Sequence, residues 1–290
     1  MRNRYLSSGT ELAINKQIAK VHRGLGDPTP PLDLQQVYTL LKLDSQFYKT
    51  TEDGIFRESV SRIRVGIIQV FNRPTLLFEA IKELNLKALY IPDKRRILID
   101  AELPNLKVRW NSAHEVAHSI CDWHEDVMFG DDAVTVGDGC HEQIELEANY
   151  GAGRLLFLGD HFAERVTGQH LTLDYLNKLA KLFGNTWTST LWRAVEALDV
   201  PAFAIIGSHP QQEPAEACRY FVRSRLFERR FSGVDEAKVL TWMQTYCSWR
   251  ARGPLGQAEV AITDDNGEQH IFILETFATK WHTMTLVQLV

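Results

Sequence analysis

His114, Glu115 and His118 stand in the order His-Glu-x-x-His inside the string Arg109-Trp110-Asn111-Ser112-Ala113-His114-Glu115-Val116-Ala117-His118. Val108, Ala113, Val116, Ala117 and Ile120 recur at three- and four-residue intervals, so a helix is expected from Leu106 onward. Residues four apart lie one above the other on a helix face, and both imidazoles can then reach one ion. Glu115 follows the first histidine, where its carboxylate can approach a water at that ion without ligating it. The chemistry this points to is metal-assisted hydrolysis. The ion acidifies water and polarises a carbonyl, and Glu115 acts as the general base that later hands the proton to the leaving amine. The competing reading is a pair of buried structural histidines.

A catalytic zinc usually has three protein ligands and one open position. Two residues compete for the third place. His124 gives His-Glu-x-x-His-x-x-Cys-x-x-His, the metzincin spacing, but with Cys121 where that motif turns on a glycine; neither Met243 nor Met284 makes a convincing Met-turn. The other candidate lies on a helix expected from about Glu142 to Leu158, with Ile144, Ala148, Ala152 and Leu155 as its buried stripe. Glu145 borders that stripe, whereas Glu147 falls beside Gln143 and Arg154 on the face that reads as solvated. Asn149, one turn after Glu145, is placed to hydrogen-bond a ligand. Zinc is the expected ion, and manganese suits the same donors.

The run Glu145-Leu146-Glu147-Ala148-Asn149, then Leu155-Leu156, downstream of His-Glu-x-x-His resembles the ImmA/IrrE family of metallopeptidases over roughly residues 33–200. That family pairs the histidine motif with an Glu-x-Glu-Ala-Asn helix. The chain departs from the pattern at Phe157-Leu158, where the family has Met-Pro, and at Tyr150-Gly151, where an aromatic residue usually comes second. The resemblance implies Glu145 as third ligand. It also implies a cytoplasmic zinc endopeptidase whose protein substrate is a helix-turn-helix repressor, cleaved in a stress or mobile-element response. Members of the stress-response branch carry an added sensor-like C-terminal domain, which residues 201–290 could supply. The reading of a different class is a non-catalytic zinc-binding regulatory protein that acts by partner binding. No residue is singled out to stabilise the oxyanion; Tyr150, His141 and His161 are merely near in sequence.

The elements that must position these groups follow from patterning. Helices are expected at 11–25, 32–43, from Arg73-Pro74 to about Leu84, and at 173–182, 189–198 and 234–246. Strands are expected at 63–71, in a hairpin of Leu86 to Ile91 with Arg96 to Leu103, and at 202–206, 217–223, 257–263, 269–275 and 283–290. A loop is expected at 126–140, and Asp264-Asp265-Asn266-Gly267 reads as a hairpin turn. The expected class is α+β: a zincin-like peptidase domain, with a small sheet packed on the two site helices, then a smaller mixed C-terminal domain. The expected boundaries are a helical N-terminal extension at 1–31, the peptidase domain at 32–200, and the C-terminal domain at 201–290.

The chain has 290 residues, a formal net charge of -5 and four cysteines with no Cys-x-x-Cys pair. This balance carries no nucleic-acid footprint over the whole chain, although Arg219, Arg223, Arg225, Arg229 and Arg230 are a local basic cluster. The helix pair joined through Gly184 is read as ordinary helix packing rather than a DNA-binding motif. No apolar signal core opens the sequence and no stretch approaches the roughly 20 apolar residues of a membrane span, so a cytoplasmic protein without membrane partners is expected.

Overall fold

The computed structural model describes residues 1–48, 88–91, 95–124 and 138–290. The expected strand at 63–71 and helix from Arg73 to Leu84 lie outside the described residues, as does most of the expected loop at 126–140. The last three residues of that loop instead open a helix. The fold is mixed α+β, and the chain forms two compact units, Leu6–Gly159 and Met1–Tyr5 with Asp160–Val290.

In the unit Leu6–Gly159, helix α1 spans Ser8–Gly24, and Ser7 caps it by accepting from the Thr10 amide. Helix α2, Leu34–Leu41, ends at Lys42, which takes a left-handed φ of 53°. It is shorter than expected because the chain goes straight on into strand β1, Asp44–Tyr48. Strands β2, Ala88–Ile91, and β3, Arg96–Asp100, form the expected hairpin. β1 pairs parallel to β3 on its other side, giving the order β1-β3-β2. Ile97, Leu98 and Ile99 of β3 are all buried. Helix α3, Asn105–Ile120, packs on β2 and β3 and against helix α4, Asp138–Leu156; α1 packs on α4 as well.

The contact of α3 with α4 is close. A Cβ placed on Gly151 would lie 2.9 Å from the Ala117 Cβ and 3.5 Å from Ile14 Cγ2. Glycine is therefore the residue that fits here.

In the other unit, helices α5, Asp160–Val166, α6, Leu173–Phe183, and α7, Trp187–Ala197, precede a five-stranded antiparallel sheet. Its strands are β4, Ala202–Gly207, β5, Tyr220–Arg223, β6, Gly253–Thr263, β7, Gln269–Ala278, and β8, Thr283–Leu289, in the order β5-β4-β8-β7-β6. Helices α8, Arg225–Arg230, and α9, Glu236–Tyr246, lie between β5 and β6. Phe203, Phe221, Phe227, Phe231, Phe272 and Met243 form the buried core. Helix α7 packs on β4 and β5 and α6 on β7. Ser224 Oγ accepts from the Ala202 amide and donates to the Val200 carbonyl. Pro201 lies inside the compact unit formed by Met1–Tyr5 and Asp160–Val290.

Residues Met1–Asn3 lie along β5. The Phe221 amide donates to the Met1 carbonyl, and the Asn3 amide donates to the Phe221 carbonyl. Arg2 makes two hydrogen bonds to Glu236, at 2.9 and 2.6 Å. The basic cluster is largely engaged: Arg223 pairs with Glu228, Arg230 with Asp264, and Arg225 lies 4.1 Å over the Tyr5 ring.

Candidate metal centre

Helix α3 carries His114, Glu115 and His118, and α4 carries Glu145, Glu147 and Asn149. Because α3 and α4 touch at Ala117 and Gly151, the two sets of side chains face one another one turn away. His114 Nε2 and His118 Nε2 stand 3.2 Å apart. Glu145 brings Oε2 to 3.2 Å from His114 Nε2 and Oε1 to 3.5 Å from His118 Nε2. The donor atoms of these three residues lie within 4.8 Å of one another. Two imidazole nitrogens and one carboxylate oxygen are a donor set that suits zinc.

The cluster is open on one side. Glu145 keeps 41% of its side-chain surface exposed, while His118 keeps 6%. Burial opposes a charge on His114, but Glu145, Glu115 and a hydrogen bond from its ring to Asn149 outweigh it and raise its pKa. Glu145 has the mirror-image balance: burial favours its neutral form, yet hydrogen bonds and charge from both histidines hold it well below the usual carboxylate range. Glu115 is buried beside this pair. Desolvation, opposed by His114 and by a hydrogen bond from the Tyr90 main chain on β2, pushes its pKa up to about 7.

His124 lies elsewhere. Helix α3 ends at Ile120, and Cys121, fully buried with φ -97°, turns the chain without a left-handed residue. The His124 amide donates back to the Cys121 carbonyl at 2.8 Å. Its ring sits behind His118, with Nδ1 3.0 Å from His118 Nδ1 and Nε2 3.0 Å from Glu147 Oε2. Both nitrogens are thus engaged away from the three-donor cluster.

Glu147 was expected on a solvated face and is buried. The reason is its partners: Trp123 Nε1 donates to Oε2 at 2.6 Å, Gln143 Nε2 to Oε1 at 2.8 Å, and His124 takes the remaining approach. Helical spacing of Gln143 and Glu147 was visible in the sequence, but the pairing with Trp123 and His124 spans the gap between two helices. Tyr150, considered for the oxyanion, donates to Asn15 at 3.2 Å, and His161 is exposed on α5. Of His141 only the backbone is described.

A second group of donors, Asp264, Glu268 and His270, surrounds the β6–β7 turn. There Arg230 Nη2 already lies 3.2 Å from Asp264 Oδ2 and 3.2 Å from His270 Nε2. Asp264 Oδ1 accepts from the Asn266 and Glu268 amides. A cation's place is taken by the guanidinium, and the group serves the turn.

Residues 74–193 match the peptidase M78 family, described as the IrrE N-terminal-like domain. Over that stretch the match bears out the ImmA/IrrE resemblance read from the sequence, and with it a metallopeptidase-like domain. A solved structure described as a Mycobacterium tuberculosis transcriptional regulator is similar with a TM-score of 0.52 at 10% identity, covering 97% of this chain and 77% of that one. At that identity the likeness is one of fold. No curated protein matches the chain. Among the described residues, no helix is long and apolar enough to cross a membrane.

Proposed function

From the peptidase-family match over residues 74–193, we propose that the chain is a zinc-dependent endopeptidase with a zincin-like site. His114, His118 and Glu145 would hold the ion, and Asn149 would orient His114. The observation that carries this reading is the convergence of those three donors within 4.8 Å, with Glu115 next to the first. When bound, zinc supplies Lewis acidity toward water and toward a peptide carbonyl. Manganese suits the same donors.

Glu115 is the general base. Its carboxylate would take a proton from water and return it to the leaving amine nitrogen. The open side at Glu145 is where a polypeptide would approach. The substrate is a helix-turn-helix repressor cleaved in a stress or mobile-element response, and the protein works in the cytoplasm. The support for the substrate is the ImmA/IrrE resemblance.

One observation favours a second reading, a zinc-binding regulatory protein that acts by partner binding without turnover. Glu115 is 7% exposed and is hydrogen-bonded by the Tyr90 main chain, as a purely structural carboxyl group would be. Elemental analysis of the purified protein beside His118→Ala, with digestion of helix-turn-helix repressors by wild type and Glu115→Gln, separates the two. The peptidase reading expects about one zinc per chain, absent from His118→Ala, and cleavage lost in a Glu115→Gln protein that keeps its zinc. Zinc without cleavage, and a biological effect unchanged in Glu115→Gln, would leave the binding reading. No zinc in folded wild type would end both.

A further inference from the structure

We propose that His124 and Glu147 are positioning residues that fix the proton of the His118 ring on Nδ1 and so keep its Nε2 lone pair turned toward His114 and Glu145. The inference rests on the metal-binding reading above and extends it by a relay of two residues behind one ligand.

Proton bookkeeping assigns the relay from either end. A carboxylate only accepts, so the His124 nitrogen that faces Glu147 at 3.0 Å, Nε2, carries a hydrogen. Nδ1 of a neutral His124 is then an acceptor. The atom facing it at 3.0 Å, His118 Nδ1, must donate. From the other end, a histidine that ligates through Nε2 carries its proton on Nδ1 and needs an acceptor there, and His124 Nδ1 lies in reach at 3.0 Å. The two assignments agree.

The relay is also held still. His124 is fully buried and Glu147 is 6% exposed. Trp123 and Gln143 occupy the other approaches to the Glu147 carboxylate, so it cannot turn away from His124. Trp123 and His124 follow the end of α3, and Gln143 and Glu147 lie on α4. The relay therefore ties the helix of the two histidines to the helix of Glu145 and aims one of the ligands in the same stroke. A buried polar tie that merely joined the helices would have no need to reach the back of a metal ligand.

The test uses the full chain, metal-free and labelled with 15N-histidine, read by long-range 1H–15N correlation, and zinc affinity by competition with a chromophoric chelator. Wild type is expected to show His118 protonated on Nδ1 and His124 on Nε2. His124→Leu is expected to lose the His118 tautomer preference and to weaken zinc binding about 10–100-fold. His124→Gln, whose amide oxygen can accept from His118 and whose amide nitrogen can donate to Glu147, is expected to restore both. A wild-type His118 protonated on Nε2 overturns the proposal without any variant. So do His124 variants that lower the melting temperature yet leave tautomer and zinc affinity unchanged. If wild type binds zinc, His118→Ala does not, and His124→Leu binds as tightly as wild type, the relay falls and the metal site stands. If wild type takes up no zinc, both fall together.

Discussion

Gly151 on α4 faces Ala117 on α3 so closely that a single added carbon would lie 2.9 Å from the Ala117 Cβ. The contact lies between His114 and His118 on one helix and beyond Glu145 on the other, so the spacing of three metal-ligand candidates is set by a place where neither helix has side chain to spare.

Gly151→Val should therefore push the helices apart. Overpacking of this kind costs about 1–3 kcal/mol. The expected outcome is a lower unfolding midpoint together with weaker zinc uptake, and Ala117→Gly in the same protein should recover part of both. Chemical denaturation and chelator competition on the two single variants and the double variant check this. Full zinc affinity in Gly151→Val would show that the helix spacing does not set the site.

Glu145→Gln keeps the size of the side chain and removes its charge. Loss of a supporting residue typically weakens a metal site about 10–100-fold, and loss of a ligand should exceed that. The expected zinc affinity is below that of any His124 variant. Equal affinity for Glu145→Gln and wild type would remove Glu145 from the ligand set.

Asp264, Glu268 and His270 come close enough to suggest a second ion, but Arg230 holds the place. Asp264→Asn is expected to leave zinc content unchanged at about one per chain while loosening the β6–β7 turn. Elemental analysis reads the first effect, and hydrogen exchange at the Asn266 and Glu268 amides reads the second.

Hydrogen bonding to Arg2, against a smaller desolvation cost, lowers the Glu236 pKa from its ordinary 4.5 to about 2. A carboxylate depressed by folding stabilises the fold above its unfolded value, and that contribution disappears as pH falls through the folded value. The attachment of Met1–Asn3 to β5 should accordingly be complete above about pH 4.5 and weaken from there down to about pH 2. Both side chains are substantially exposed, at 44% and 31%, so the effect is about 0–1 kcal/mol. Hydrogen exchange of the Asn3 amide against pH should show this window, and Glu236→Gln should flatten it.

What was legible in the sequence was whatever depended on local spacing. The period of Val108, Ala113, Val116, Ala117 and Ile120 located the α3 helix, and the hairpin of β2 and β3 and the strands of the second sheet followed from short apolar runs between turn residues. Asp44-Ser45-Gln46-Phe47-Tyr48 has little apolar signal, because among the described residues it is a sheet edge held by parallel pairing to β3 about 50 residues away. Helices α5 and α8 are too short for a periodic pattern to emerge. At the site, His114, Glu115 and His118 announced themselves by spacing, and Glu145 by its place beside the apolar stripe. Glu147 did not, because its burial comes from Trp123 and His124, which follow the end of α3, and no property of its own helix records them. The metzincin-like spacing of His124 was a true signal of proximity to the site, but its ring stands behind His118 rather than beside it.

The pairing of Met1–Asn3 with β5 has a bearing on how the protein folds. Met1–Asn3 precede the whole of Leu6–Gly159 in the chain, yet the strand they lie along, Tyr220–Arg223, follows it. Met1–Asn3 must therefore wait for a partner strand translated after Leu6–Gly159, while that intervening unit can fold in the meantime. A fragment that starts at Asp160 would leave β5 with an open edge, so any attempt to express that unit alone should carry the opening five residues along, joined by a flexible spacer.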